Sequence, residues 1–339
     1  DAPSSGLQFF ADYPHFQHRR FPLPERWLTI AWHRFYLPVP VEWSTGPIAL
    51  FHSPNFILPP TRAAKTLLTV HDLSFIRHPQ GAVENLRRWL EKVVPRSLAR
   101  ADHVLADSES TRTDLKEIYH VPPQKVTVVG AGVEERFRPV TDTRLLAGIK
   151  QQYKLPEKFV LSLGTLEPRK NFTGLIDAFG QSPLPETHHL VIAGGKGWLY
   201  EDIFTAAQTS PVADRIRLIG FVADDHLPAL YSLADIFAYP SHYEGFGIPV
   251  VEAMACGTPV ICADNSSLPE VAGQAAVLVP ATDTTALAEA LHTVASNETV
   301  RANMIQLGFT QAQKFNWPAA AERLLNVYKS VLGNLPIQN

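Results

Sequence analysis

The sequence predicts an α/β fold of two doubly wound Rossmann-like domains that face each other across a cleft. The chain has 339 residues, which is long for one compact domain and comfortable for two. Short apolar runs alternate with helical segments in both halves, as expected for parallel sheets that are covered on both faces. The charge also differs between the halves: residues 1–150 hold 19 basic and 15 acidic residues, whereas residues 151–339 hold 11 and 18.

The N-terminal half opens with a segment rich in aromatic residues and proline. Residues 1–45 indicate little regular structure beyond a helix near 25–35. From there, short apolar runs bounded by polar turns predict strands, and the longer segments between them predict helices. The predicted strands of this half are 47–52, 66–70, 103–106 and 126–129, and the predicted helices are 82–100 and 109–119.

A polar stretch separates the two halves. Residues 138–157 contain scattered Pro and Gly and no convincing strand, so we place the domain junction there. This gives an N-terminal domain at 1–145, a second domain at 146–316, and a C-terminal helix at 317–333 that is expected to pack back toward the N-terminal domain. The second half contains predicted strands at 159–163, 190–193, 216–219, 236–239, 259–262 and 276–279, predicted helices at 171–179, 199–208, 225–233, 247–256 and 283–295, and two closing helices within 298–333.

Composition excludes several classes of protein. The apolar content of 45% and charged content of 19% are those of an ordinary globular protein, and the net charge of −3 argues against binding to nucleic acid. Cys256 and Cys262 lack a nearby His partner and form a poor zinc pattern, which favours a reduced cytosolic pair. No run of about 20 apolar residues and no signal peptide is visible, so the predicted location is the cytoplasm.

The first motif of the second half lies between a predicted strand and a predicted helix. Segment 164–171 reads Gly-Thr-Leu-Glu-Pro-Arg-Lys-Asn. Arg169 offers a bidentate fork and Lys170 a point charge, while the N-terminus of the following helix adds partial positive charge. The segment therefore suits a phosphate group, and a solvated Arg-Lys pair at a helix start is the alternative.

Two glutamates mark the second motif. Segment 244–252 reads Glu-Gly-Phe-Gly-Ile-Pro-Val-Val-Glu, and Gly245 and Gly247 let backbone N–H groups approach a ligand closely. Glu244 and Glu252 would lie roughly 12 Å apart along a helix, too far for the close carboxylate pair of a retaining hydrolase. Separate binding roles are more natural, since a carboxylate can accept hydrogen bonds from two vicinal hydroxyls of a ribose or a hexose. Helix capping by Glu244 and an ordinary first-turn position for Glu252 are the alternative.

A third segment completes a recognisable pattern. Segment 264–270 reads Asp-Asn-Ser-Ser-Leu-Pro-Glu and, taken alone, indicates a turn before a helix start at Ser267. Together, in this order and spacing, the three segments resemble the family 4 retaining glycosyltransferases, and Glu244 and Glu252 match the Glu-x7-Glu signature of that family. The resemblance covers about 47–333 and implies the GT-B fold, in which the donor binds in the cleft between two Rossmann-like domains.

The resemblance implies a role for each matching residue. Arg169 and Lys170 would hold the donor diphosphate and stabilise its charge as it leaves. Glu244 would hold the donor sugar and the distal phosphate, and Glu252 would hold the ribose hydroxyls. The donor site implied in this way consists of Gly164, Arg169, Lys170, Val222, Leu227, Glu244, Gly245, Phe246, Gly247, Ile248 and Glu252, with the base near Phe221, Val222 and Leu227.

The N-terminal half adds one histidine to this site. His71 follows the predicted strand 66–70, where a histidine of the resembling family contacts the donor sugar across the cleft. Asp72 would either orient His71 or only cap a turn. A structural histidine at a strand end is the alternative. The catalytic residues implied by the resemblance are His71, Arg169, Lys170 and Glu244, and no acceptor-binding residue is assigned.

A basic stripe bears on the acceptor side. The predicted helix 82–100 carries Arg88, Lys92, Arg96 and Arg100 at i, i+4 spacing, and Pro95 is expected to interrupt it. Such a stripe suits anionic lipid head groups at the inner face of the membrane, and therefore a lipid-linked acceptor. An ordinary solvated helix face is the favoured explanation of the same pattern.

The beginning of the chain departs from the family pattern. The family normally opens with a strand, a Gly-rich loop and a helix, and that loop packs near the donor phosphate and the acceptor. None of the three is readable after Asp1-Ala2-Pro3. We therefore expect the N-terminal domain to lack its first strand and its Gly-rich loop.

The resemblance implies transfer of a hexose from a nucleotide diphosphate sugar to a hydroxyl of a glycan or lipid-linked acceptor in polysaccharide biosynthesis, with retention of the anomeric configuration. No Asp-x-Asp motif occurs in the cleft segments, so neither a metal nor a cofactor is predicted beside the nucleotide sugar. The details at 71–75, 167–171 and 315–317 are nearest to bacterial mannosyltransferases that use GDP-mannose, while UDP-glucose and related UDP-sugars remain open.

Two alternatives to a transferase are a nucleotide-sugar epimerase of the same fold and a donor-binding fragment without turnover. An epimerase would consume the donor without an acceptor, and a fragment would bind the donor without turnover. A dehydrogenase is disfavoured, because no Gly-x-Gly-x-x-Gly follows any predicted strand.

Overall fold

A computed structural model of the chain describes residues 13, 15–17, 27, 32 and 37–333. Within this part, two separate parallel β-sheets form, one of four strands and one of six. This confirms the predicted α/β fold of two Rossmann-like domains, called here the N-terminal and C-terminal lobes. The helix predicted near 25–35 lies outside the described residues except for Trp27 and Trp32.

The N-terminal lobe is built on the four-stranded sheet. In sheet order its strands are β1 (Leu50–Ser53), β2 (Lys65–Val70), β3 (His103–Ala106) and β4 (Val126–Val128). Its helices are α1 (Glu42–Thr45), α2 (Ser74–Arg77), α3 (Glu84–Arg100) and α4 (Glu109–Tyr119). Only Lys65 of β2 is exposed, because the strand lies between two others and is covered on both faces.

The C-terminal lobe is built on the six-stranded sheet. Its strands are β5 (Phe159–Leu163), β6 (His189–Ala193), β7 (Ile216–Gly220), β8 (Ile236–Tyr239), β9 (Val260–Ala263) and β10 (Ala276–Val279), in the sheet order β10-β9-β8-β5-β6-β7. The helices are α5 (Thr143–Gln152), α6 (Phe172–Gln181), α7 (Glu201–Thr209), α8 (Leu227–Leu233), α9 (Ile248–Ala255), α10 (Leu268–Ala272), α11 (Thr284–Ser296), α12 (Glu298–Ala312) and α13 (Trp317–Val331). The strand order reverses between β5 and β8, so the loops after these two strands meet at a topological switch point, where open α/β sheets bind ligands.

The final helix α13 packs on the N-terminal lobe rather than on the lobe that precedes it in sequence. Val327 of α13 lies in one apolar layer with Leu67 of β2 and Leu105 of β3, all nearly inaccessible to solvent. The Tyr328 hydroxyl lies 2.7 Å from Nδ1 of His52 at the same face. The opposite face of this sheet is covered by α3 and α4.

The chain crosses between the lobes at two adjacent points. The backbone N–H of Val133 donates to the carbonyl of Phe315 at 3.1 Å, and Val133 forms a parallel bridge with Asn316. A Cβ at Gly132 would lie 2.3 Å from the backbone nitrogen of Trp317, so the crossing segments approach as closely as only glycine permits.

The junction expected at 138–157 contains a helix that was not predicted from the sequence. Asp142 begins α5 by accepting hydrogen bonds from the N–H groups of the second and third residues that follow it. Phe137 and Ile149 pack into the core of the C-terminal lobe, so that lobe starts before the expected boundary at 146. Ile149 is the one fully buried residue of α5, which explains why the apolar signal was too weak to reveal a helix.

The expectation that Pro95 interrupts the helix 82–100 was wrong. α3 runs without a break from Glu84 to Arg100 with Pro95 inside it. Val94 and Leu98, on either side of the proline, are buried against the sheet. This packing outweighs the backbone hydrogen bond that a proline removes.

Candidate active site

The switch point brings the first two sequence motifs together. The loop after β5 carries Arg169 and Lys170 in a short 3-10 turn, and the loop after β8 carries Glu244. Nη1 of Arg169 donates to Oε2 of Glu244 at 2.8 Å, and Nζ of Lys170 donates to Oε1 at 2.8 Å. One carboxylate therefore bridges two cations from the neighbouring strand end, an arrangement called here the switch-point network.

Three further groups fix the cations of this network. Arg169 donates to Oε1 of Glu167 at 2.5 Å and to the carbonyl of Tyr243 at 2.7 Å. Lys170 donates to the Tyr239 hydroxyl at 2.6 Å. Glu167 was not singled out in the sequence, although it lies two residues before Arg169, because nothing in the sequence shows that it is buried.

Burial and charge oppose each other in the network. Burial alone would raise the pKa of Glu244, which is 6% exposed, but the charges of Lys170 and Arg169 lower its pKa to about 2. Burial alone would lower the pKa of Lys170 and of Arg169, and the Glu244 carboxylate raises the pKa of both instead. All three groups are therefore ionised at neutral pH, and Glu244 is a weak base.

The third sequence motif shapes the second. The hydroxyl of Ser266 accepts a hydrogen bond from the Glu244 N–H at 2.9 Å, and the hydroxyl of Ser267 donates to the carbonyls of Glu244 at 3.0 Å and Phe246 at 2.8 Å. The segment that the sequence alone assigned to a turn thus holds the backbone of the Glu244 loop.

Glycines place this loop against both lobes. A Cβ at Gly245 would lie 2.5 Å from the carbonyl oxygen of His71, so Gly245 touches the N-terminal lobe. Gly247 precedes the first turn of α9 with φ +105°, which a glycine adopts without strain, and Ile248 begins the helix. Gly164, after β5, lies against the side chain of Lys170, since its Cβ would be 3.3 Å from Cε.

His71 lies across the cleft from the network, at the end of β2. Its Nδ1 is 2.8 Å from Oδ2 of Asp107, and this hydrogen bond raises the pKa of His71 against the effect of burial. Of the two roles expected for Asp72, the structure shows the turn cap, since Asp72 accepts from the N–H of Ser74 at 2.8 Å. The parallel register pairs Val70 with Ala106, so the residues after these two are neighbours, but this is visible only once β2 and β3 are known to be adjacent.

The lobes are also joined through a tyrosine that the sequence analysis did not identify. The Tyr243 hydroxyl donates to Oδ2 of Asp114 in α4 at 2.5 Å, and Nε of Arg77 donates to Oδ1 of the same carboxylate at 2.7 Å. Since the Tyr243 carbonyl accepts a hydrogen bond from Arg169, one residue connects the N-terminal lobe to the switch-point network.

Glu252 lies apart from this network, on α9. The Tyr231 hydroxyl donates to its Oε2 at 2.9 Å, and burial raises the pKa of Glu252 to about 7. The residues predicted near the base lie on the same side of the lobe. Val222 is buried in the core, Leu227 begins α8, and the side chain of Phe221 is 72% exposed.

The basic stripe of α3 does not face solvent uniformly. Arg88 pairs with Glu84, and the guanidinium of Arg100 donates to the carbonyls of Leu58 and Pro59 at 3.1 and 2.6 Å. Lys92 is exposed. No helix in the described part of the chain combines the length and apolarity that crossing a membrane requires.

Comparison with known families and proteins identifies the chain. The family model Glycosyltransferase Family 4 matches residues 2–137, and Glycosyl transferases group 1 matches residues 148–311. The O-antigen chain mannosyltransferase B of Escherichia coli is 31% identical over 283 residues, which cover 83% of this chain and 74% of that protein. The serotype-specific mannosyltransferase WbdA of Escherichia coli is 29% identical over 279 residues, covering 79% of this chain, and this chain spans only about a third (34%) of that longer protein.

Solved structures show the same fold. Sucrose-phosphate synthase from Thermosynechococcus elongatus superposes with a TM-score of 0.68 at 27% identity, over 81% of this chain and 69% of that chain. Anabaena HepE, solved in complex with UDP and glucose, has a TM-score of 0.68 at 21% identity, over 79% of this chain and 72% of that chain. With both halves matched by glycosyltransferase models and a relative above 30% identity along most of its own length, the chain belongs to glycosyltransferase family 4.

Proposed function

We propose that this glycosyltransferase is a retaining, metal-independent enzyme that transfers mannose from GDP-mannose to a hydroxyl of a glycan or lipid-linked acceptor in polysaccharide biosynthesis. The observation that carries the proposal is the switch-point network, in which Glu244 bridges Arg169 and Lys170 beside the contact of Gly245 with His71. Two relatives named as mannosyltransferases support mannose, and the HepE complex keeps a UDP-sugar as the competing donor.

The network retains hydrogen-bond donors for a diphosphate. Lys170 uses two of its three N–H groups within the protein, and Arg169 uses three of its five. The remaining N–H groups and both positive charges face a donor diphosphate placed at the switch point. As the bond to the sugar breaks, negative charge grows on this diphosphate, and preorganised cations stabilise it without rearrangement.

Retention follows from a displacement on one face of the sugar. Glu244 is a poor nucleophile, because two cations hold its carboxylate and lower its pKa to about 2. The new bond from the acceptor oxygen to the anomeric carbon then forms on the face from which the bond to the diphosphate breaks. The acceptor proton passes to the leaving phosphate oxygen, so GDP and the lengthened glycan are the products.

The remaining predicted residues bind and orient the donor. His71, oriented by Asp107, contacts the sugar from the N-terminal lobe, and Glu252 accepts hydrogen bonds from the ribose hydroxyls. The base lies near Val222 and Leu227, and the backbone of residues 245–248 and the space beside Gly164 surround the phosphates. Glu244 positions the cations and contacts the sugar hydroxyls.

Metal independence rests on the same charges. Arg169 and Lys170 occupy the place where a divalent cation would otherwise neutralise the leaving diphosphate. Transfer from GDP-mannose is therefore expected at an unchanged rate after dialysis against EDTA. A rate that collapses in EDTA and returns with Mg²⁺ or Mn²⁺ would contradict this part of the proposal.

The exposed residues of α3 and of the segment before it bear on where the protein acts. We place the protein in the cytoplasm, with the exposed charges of α3 near the inner membrane face, next to the exposed side chains of Val83 and Leu86. Cosedimentation with vesicles that contain phosphatidylglycerol, but not with phosphatidylcholine vesicles, would support the contact. Equal sedimentation with both kinds of vesicle, or with neither kind, would contradict the proposed membrane contact.

The donor assignment is tested by calorimetric titration with GDP, UDP and ADP. Binding of GDP alone, lost in Arg169→Ala and Glu252→Ala, is the expected result. Preference for UDP would change the assigned donor to a UDP-sugar and leave the assigned site unchanged. Absence of binding to all three nucleotides would contradict the assignment of the site. Nuclear magnetic resonance of the product made from GDP-mannose then decides between retention and inversion at the anomeric carbon.

A further inference from the structure

A cavity of about 560 Å³ lies between the lobes, beside the switch-point network, and is called here the junction cavity. His78 enters it from the N-terminal lobe. The C-terminal lobe contributes His242 after β8, Asp264 after β9, Thr282 after β10, and Thr173 and Asp202 from the first turns of α6 and α7. Its volume falls within the roughly 300–1,000 Å³ of ordinary small-molecule sites.

The cavity adjoins the donor site but is lined by different residues. Pro168 and His242 line it, while the neighbouring residues Arg169 and Tyr243 belong to the switch-point network. The N–H of His242 donates to the carbonyl of Arg169 at 2.8 Å, so the wall consists of two hydrogen-bonded segments. An occupant would therefore lie within a few residues of the reacting groups without touching Glu244, Arg169 or Lys170.

The lining chemistry suits a neutral, hydroxyl-rich ligand. No Lys or Arg is among the residues that surround the cavity in the described part of the chain. The carboxylates of Asp202 and Asp264 make no hydrogen bond or ion pair within that part, so both are available to accept from hydroxyl groups. An anion such as a phosphate would meet two negative charges and no Lys or Arg side chain among these lining residues.

Two histidines stack on each other across the lobe boundary. The rings of His78 and His242 stack with centroids 4.9 Å apart and planes 22° apart. Burial lowers the pKa of both, so both are neutral at pH 7. Nδ1 of His78 accepts from the side-chain amide of Gln80 at 3.0 Å, which makes its Nε2–H the donor available to a ligand. Since each lobe supplies one ring, the stacked pair exists only while the lobes are in contact.

We propose that the junction cavity binds a sugar residue of the acceptor glycan other than the one that receives the new mannose. This inference rests on the proposed function, because it assigns the cavity to the acceptor of that reaction. Asp264 and Asp202 accept hydrogen bonds from the sugar hydroxyls, and the stacked pair His78–His242 lines the cavity beside the ring. The enzyme thereby selects an acceptor chain of at least two sugars over a single one.

The test compares acceptors of different length. Transfer from GDP-mannose is measured with methyl α-mannoside and with α-linked mannose oligomers of two, three and four residues. The wild-type KM is expected to fall with length. The ratio of KM for the shortest acceptor to KM for the longest is called here the length gain. In Asp264→Asn, and in Thr282→Trp, which fills the cavity, the length gain is expected to be about tenfold smaller than in wild type, the loss of one charge-assisted contact. Glu289→Gln, on the exposed side of α11, is the matched control and keeps the gain.

Calorimetric titration with GDP separates this inference from the proposed function. If all variants bind GDP like wild type and the length gain survives in both cavity variants, the cavity assignment is overturned while the donor site stands. The same holds if KM does not depend on acceptor length. If GDP and UDP fail to bind even to wild type, the proposed function falls and the inference falls with it.

A direct measurement locates the ligand. Titration of the wild-type protein with mannotriose in the presence of GDP should shift the imidazole resonances of His78 and His242, and His78→Ala should weaken binding. Shifts confined to other histidines would overturn the assignment. So would binding of glucosamine in preference to the neutral oligosaccharides, since that would make the cavity a cation site.

Discussion

Glu252 shows how burial can set the pH range of a binding site. Burial raises its pKa to about 7, and if the carboxylate holds the ribose, protonation removes the acceptor. GDP affinity is therefore expected to fall as pH drops below about 7, by about tenfold for each further pH unit. Calorimetry across about pH 5.5 to 8 measures the slope, and titrations in two buffers of different ionisation enthalpy measure the protons released on binding.

The control is Glu252→Gln, which should bind GDP weakly and without this pH dependence. Stability has the opposite sign. Because the folded pKa of Glu252 lies above its ordinary value of 4.5, its own contribution makes the protein more stable as pH falls from about 7 toward 4.5, while nucleotide binding weakens. Wild-type affinity that stays constant across this range would contradict the role of the carboxylate.

Gly245 is a residue at which the two lobes approach each other closely beside the site. A methyl group there would lie 2.5 Å from the carbonyl of His71 and 2.9 Å from Cβ of Asp72. Gly245→Ala should displace the lobes and lower kcat/KM by about a hundredfold, the effect of a misplacement of about 1 Å. Steady-state kinetics with GDP-mannose measures the loss.

Gly148→Ala is the matched control for Gly245→Ala. Gly148 lies on the exposed side of α5, and nothing surrounds its Cβ position within 4 Å. It should leave the kinetics unchanged and stabilise the protein by about 0.5–1 kcal/mol, since glycine is unfavourable inside a helix. Equal activity of the two variants would show that the Gly245 contact is dispensable.

At the scale of elements, Tyr243 ties the loop after β8 to α4 of the other lobe. Tyr243→Phe leaves Oδ2 of the buried Asp114 without its donor, which should cost about 1–3 kcal/mol of unfolding free energy. Because the same residue holds Arg169 through its carbonyl, kcat should fall more than KM rises. Denaturant unfolding and kinetics measure the two effects. Tyr200→Phe, whose ring packs edge-on against Phe204, should change neither, and a loss in stability without a loss in kcat would limit Tyr243 to a structural role.

Most strands and helices could be predicted from the sequence, but which strands lie side by side in the sheet could not. β5 and β8 are short apolar runs followed by Gly-rich or charged loops, which is a local signal. The pairing of β5 with β8 places Val160 opposite Ile236, although many residues separate them in sequence. Such a pairing depends on how the whole lobe packs, which no local pattern shows. Arg169 and Glu244 could therefore be assigned to one site only through the family resemblance. Asp107 was missed for the same reason, since its contact with His71 depends on strand order.

At the scale of the whole molecule, the N-terminal lobe depends on a helix made after the C-terminal lobe. Val327→Asp places a charge in the apolar layer with Leu67 and Leu105, and should destabilise the N-terminal lobe by about 3 kcal/mol or more. Differential scanning calorimetry should then resolve two transitions, with the one stabilised by GDP unchanged. Leu325→Asp is the control, since Leu325 lies on the same helix and is 49% exposed. A single transition that shifts as a whole would mean that the lobes unfold together.

The position of α13 has a consequence for how the protein is made. During translation, the strands that contain Leu67 and Leu105 leave the ribosome roughly 220–260 residues before Val327, about 11–52 s at 5–20 residues per second. Throughout that interval, one face of the first sheet has no partner and offers an apolar surface to chaperones or to other nascent chains. The lobe that is synthesised first is therefore the one that is finished last.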